Sequence, residues 1–91
     1  MSDSALKELS AVALTYPDYA DAPLIAAKSK GDLARKMLEI AQENNIPVVH
    51  DSMLANVLSV QEVGACVPME TWQAVARVFA FILEMEKSEV K

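Results

Sequence analysis

The chain has 91 residues, 53% of them hydrophobic, with a single cysteine and a formal charge of −5. That length holds one domain with one modest core, and that composition excludes a disordered chain. The longest uninterrupted apolar run, Val78 to Leu83, is too short to cross a bilayer, and the lone Cys66 cannot form an internal disulfide.

The charge is unevenly spread. Residues 1–22 carry one Lys against four acids, residues 23–51 balance four bases with four acids, and residues 52–91 carry three bases against five acids. No segment has the basic excess of a nucleic-acid footprint, so no nucleic-acid partner is expected. The start, Met1-Ser2-Asp3-Ser4, lacks the basic and apolar regions of a signal peptide, and a cytoplasmic location without membrane insertion is expected.

In chain order, residues 1–9 form a segment expected to fray, with Leu6 and Leu9 on one side of a single helical turn too short to stand alone. A domain is expected over residues 10–87, followed by a tail at 88–91. Ala11 to Tyr16 predicts a buried strand, and Pro17 to Ala22 a polar loop too long to assign the next strand as its hairpin partner. Pro23 to Asp51 then predicts a strand–helix–strand unit. Its parts are a strand at Leu24-Ile25-Ala26-Ala27, a turn at Lys28-Ser29-Lys30-Gly31, an amphipathic helix to Asn45 and a second strand at Pro47-Val48-Val49. Strands joined in this way lie parallel with a right-handed crossover. The expected fold class is therefore α/β, a small mixed sheet with a right-handed βαβ core wrapped by helices.

The helix rests on Leu33, Ala34, Met37, Leu38, Ile40 and Ala41 at helical spacing, with Asp32, Arg35, Lys36, Glu39, Gln42 and Glu43 on the other face. Ser29 and Asp32 have the spacing of a capping box, Asn44 or Asn45 can take the left-handed closing position, and Pro47 stops continuation. Asp51 or Ser52 can cap a short helix whose apolar side is Met53, Leu54, Val57 and Leu58. Gln61 to Val67, with Gly64, predicts a bend or a brief extended piece. Pro68 fits the first turn of a last helix running from about Met69 to about Glu86.

That last helix is more apolar than a one-sided surface element requires. Trp72, Val75, Ala76, Phe79, Ile82 and Leu83 form a core stripe, while Val78, Phe81 and Met85 fall outside it. Either the sheet and the short helix wrap it on two sides, or part of it is a docking surface. Trp72 is expected to anchor the helix.

Candidate chemistry is sparse. Lys28, Lys30 and Gly31, leading into a helix, could hold an anion on backbone N–H groups, against the plainer reading of a solvated turn. His50 lies where α/β proteins place ligands but has no second metal ligand at useful spacing, so it is read as a strand-end residue. Cys66, without a neighbouring base, is read as a small buried hydrophobe. No catalytic constellation, metal site or cofactor is expected, and the chain is read as a non-enzyme.

Several stretches together carry a resemblance. They are Ala11-Val12-Ala13-Leu14, then Ala22-Pro23-Leu24-Ile25-Ala26-Ala27-Lys28-Ser29-Lys30-Gly31, Leu33-Ala34, Glu43-Asn44-Asn45-Ile46-Pro47-Val48-Val49, Leu54-Ala55, Val67-Pro68 and Trp72-Gln73-Ala74-Val75-Ala76. In order and spacing, over roughly residues 11–84, they resemble the cytoplasmic C-terminal domain of the FlhB/YscU family, the export-switch proteins of flagellar and type III secretion systems.

The resemblance implies an FlhB-like fold and protein binding at the cytoplasmic mouth of an export apparatus. Family members carry an Asn-Pro-Thr-His motif just ahead of the strand matching Ala11 to Tyr16, and cut themselves between its Asn and Pro when the Asn amide attacks its own carbonyl. Leu6-Lys7-Glu8-Leu9 stand there instead, Ser52-Met53 replace common prolines, and no Asn-Pro pair occurs in the sequence. Self-cleavage is not expected. The membrane part and the strand ahead of the motif have no counterpart in these residues.

Two binding surfaces follow as expectations. The edge strand Ala11, Val12, Ala13 and Leu14 is expected to accept a strand from a partner or a second copy. The resemblance also implies that export substrates or apparatus components meet Ala22, Pro23, Ala76 and Phe79, beside the equally open reading that all four are core or turn residues. The alternative function is that of a small cytoplasmic anion- or nucleotide-binding protein unrelated to export.

Overall fold

A computed structural model describes residues 9–89, with side chains through Met85. The order is β1 (Ser10–Thr15), β2 (Leu24–Lys30), α1 (Asp32–Glu43), α2 (Ser52–Ser59), a 3-10 turn at Met69–Thr71 and α3 (Trp72–Glu89). Residues 1–8 of the expected arm at 1–9 and the last two residues of the expected tail lie outside the described residues. The class is a small α/β domain of sheet and helices.

The sheet differs from expectation in its pairing. β1 and β2 pair antiparallel, Ser10 opposite Lys30 through Thr15 opposite Leu24, across the long connection at 16–23. Lys28, Ser29 and Lys30 continue the strand rather than turning. The expected second parallel strand does not form, since residues 46–50 belong to no strand and the sheet among the described residues has two strands. The beginning of β2 finds its second neighbour later in the chain. Val67 N–H donates to Pro23 O (3.0 Å), Ile25 N–H to Ala65 O (2.9 Å) and Gly64 N–H to Ile25 O (2.7 Å). Val48 and Val49 stay half-buried without ladder bonds, and Pro47 has no N–H to offer.

A bulge between Ala13 and Leu14 sets the faces. Ala13 opposes Ala27 and Leu14 opposes Ile25, so Ala26 is extra and Ile25 turns to the face opposite Ala27. Ile25 thereby joins Val12 and Leu14 over the core, where it is 1% exposed with Ala22, Leu58, Val67 and Val75. Burying Ile25 and Val75 stabilises by about 1.5–3 kcal/mol each.

α1 covers the other face. Ala34, fully buried, serves that side, and Ser29 Oγ contacts Met37 Sδ at 3.1 Å. Ser29 therefore does not cap the helix. Gly31 is the N-cap, with no side-chain bond, at φ 64° and ψ −131°, a combination that glycine tolerates far better than other residues. At the far end Ile46 N–H donates to Ala41 O (2.8 Å) and Asn45 N–H to Gln42 O (3.2 Å), with Asn45 at φ 58°, so Asn45 takes the closing position. Asp51 Oδ1 accepts from Leu54 N–H at 3.1 Å and caps α2.

Candidate functional site

The connection 16–23, residue 67 and residues 72–83 of α3 enclose an open groove of about 390 Å³, lined among others by Tyr16, Asp21, Val67, Trp72, Val75 and Leu83. Ala22, Pro23, Ala76 and Phe79 also line it, so the four residues implied by the resemblance converge on one concave surface. Ala22 and Pro23 are buried at its floor, Ala76 is exposed, and Phe79 is half-buried against the core.

Local chemistry holds the walls. The Thr71 hydroxyl and N–H both donate to Pro68 O (2.7 and 2.9 Å), fixing the turn that launches α3. Trp72 Nε1–H donates to Val67 O (3.2 Å), joining the helix to the segment beside β2, while its ring stays 45% exposed. Trp72 is thus an anchor through its polar edge and groove surface through its ring. Opposite, the Tyr16 and Phe79 rings meet at 6.1 Å and 59°, a tilted contact, and the Tyr16 hydroxyl donates to Asp21 O (3.2 Å).

Among the described side chains, the last helix is covered best near its start. Val75 is buried and Phe79 packs on the core, but Phe81, Leu83 and Met85 are 56%, 60% and 43% exposed. The two-sided cover expected for its surplus apolar residues is absent among the described residues.

The other candidates separate. β1 lies at the margin of the sheet, and its outer edge has no strand beside it among the described residues. Ala11 is buried, while Val12, Ala13 and Leu14 are half-buried. The lysine turn does not assemble into an anion cradle. Lys28 Nζ donates to Ser59 O (3.1 Å) and Gln61 O (2.6 Å) at the end of α2, and Gly31 N–H donates to Leu9 O (2.8 Å), leaving Lys30 exposed. His50 is exposed, and no metal-binding group of His, Cys, Asp or Glu occurs among the described residues. Cys66 is exposed, not buried. It bridges Leu24 through its backbone, and the alternation of an extended segment turns Val67 inward and Cys66 outward.

No signal in the composition marked Tyr16, Asp21 or Trp72 as groove residues, because their convergence depends on how the 16–23 connection folds back over α3. No helix among the described residues is long and apolar enough to cross a membrane.

The family described as "FlhB HrpN YscU SpaS Family" matches residues 9–82. The chain is 39% identical over 79 residues to flagellar biosynthetic protein FlhB of Aquifex aeolicus, covering 85% of this chain and 23% of that protein. It is 35% identical over 78 residues to FlhB of Escherichia coli, covering 84% and 20%. The chain therefore spans about a quarter or less of these FlhB relatives. It is also 30% identical over 79 residues to the uncharacterized protein YlqH of Bacillus subtilis, covering 86% of this chain and 85% of that one. Among solved structures, the cytoplasmic domain of FlhB from Shewanella putrefaciens superposes with a TM-score of 0.78 at 33% identity, covering 81% of this chain and 61% of that one. The PscU C-terminal domain gives 0.75 at 29% identity, covering 80% and 95%.

Proposed function

The chain belongs to the FlhB HrpN YscU SpaS family, and on that premise we propose that it is a non-cleaving protein-interaction module of a flagellar or type III export apparatus. It binds export substrates or apparatus components through the groove, with the free edge of β1 as a second contact. The observation that carries this reading is the convergence of Ala22, Pro23, Ala76 and Phe79 on one apolar concavity. Concave, mostly apolar surfaces with few polar groups are where proteins take ligands, and a free strand edge is a template for another strand. The module works in the cytoplasm, at the periphery of the apparatus.

Ala76→Glu tests it, because Ala76 is exposed and its replacement leaves the core intact. The variant is expected to keep its stability within about 0.5 kcal/mol, as surface changes do, and to lose the export-gate or substrate proteins that the unaltered chain recovers from cells. Phe79→Ser is expected to lose the same partners and about 1–3 kcal/mol of stability, since Phe79 is only partly buried. Recovery of the same proteins by the Ala76→Glu chain refutes the groove as the binding surface.

A further inference from the structure

The chemistry of the groove bears on the charge of its occupant, a step that rests on the docking reading above. Among the lining residues Asp21 alone is charged. The polar tips of the aromatic walls are already engaged, Tyr16 with the Asp21 carbonyl and Trp72 with the Val67 carbonyl. The Asp21 carboxylate has no hydrogen bond or ion pair with the described residues. Asp21 is an exposed residue in the lining of an otherwise mostly apolar surface, on a chain of net charge −5.

We infer that the groove takes a segment of another protein whose apolar side chains fill it and whose Lys or Arg lies against Asp21. An apolar segment without that cation leaves the carboxylate against a surface that hydrates it poorly, and an acidic one meets like charge. Asp21 would then select by charge among segments that the apolar walls accept alike.

The test is a random peptide display library selected on the full chain, with the Ala76→Glu chain used to remove peptides bound elsewhere. Retained peptides are expected to pair an apolar run with a terminal Lys or Arg. On Asp21→Asn the basic preference should vanish, and on Asp21→Lys it should turn to Asp or Glu. The Asp21 backbone carbonyl that accepts from Tyr16 is unchanged in both variants. A retained basic peptide, followed by the fluorescence of Trp72, should bind Asp21→Asn about two- to fivefold more weakly at low salt, the range of an exposed ion pair, with the difference shrinking as salt rises. Groove-dependent peptides without basic residues overturn this inference and leave the docking reading standing. Peptides retained equally by the Ala76→Glu chain overturn both. If sedimentation shows the free chain to be a dimer that Ala76→Glu breaks, a second copy fills the groove and the inference falls.

Discussion

Single residues decide how the parts of this domain are joined. Lys28 lies in a strand, yet its ammonium reaches two carbonyls at the end of α2, where a cation also meets the negative end of the helix dipole. Lys28→Met keeps the aliphatic stem and removes both bonds. It is expected to lower stability by about 1–2 kcal/mol, the worth of hydrogen bonds to a charged group that is partly open to water, as read from the midpoint of urea unfolding. Cys66 supplies the opposite case, a residue type that is usually buried turned outward by strand alternation. Its thiol is expected to react stoichiometrically with a water-soluble disulfide reagent in the folded state. Slow labelling that speeds up only on unfolding would show the outward orientation to be wrong. Neither placement is legible in the sequence, because both depend on which strand lies beside β2.

At the scale of elements, local signals carried the helices well and the sheet poorly. Asn45 and Pro47 mark the end of α1 within a few residues, and Asp51 marks the start of α2, because each cap is made by its own neighbours. The sheet is made by distant ones. β2 pairs with β1 across the 16–23 connection and with residues 64–67 from beyond both helices. The Pro47-Val48-Val49 run has the composition of a strand but not the ladder partners, so the parallel pair did not form. The bulge at Ala13/Leu14 likewise reverses the alternation of Ile25 without any Gly or Pro to announce it. Hydrogen exchange should follow this division. Amides of β2 are expected to be the slowest, while those in α3 beyond Phe81 exchange faster, since few apolar contacts hold that half of the helix. Equal protection along α3 would show that its exposed apolar face is covered.

At the scale of the whole molecule, the fold class and the family were readable because many short stretches agree in order and spacing, and the family match spans residues 9–82. The groove was readable only as four residues, without the rings of Tyr16 and Trp72 or its one acid. The departure from the self-cutting members is a matter of sequence, since no Asn-Pro pair exists to supply the attacking amide and the proline leaving group. The intact mass of the purified chain is therefore expected to stay constant through prolonged incubation at neutral pH. Two fragments summing to the whole plus one water would contradict it.

The groove draws its lining from residues 16–23, 67 and 72–83, and none from the long excursion through α1 and α2. The lining of the concavity and the two-helix scaffold are thus separate portions of one small polypeptide. The outward faces of those two helices can therefore change in charge or shape while every side chain that lines the concavity stays as it is.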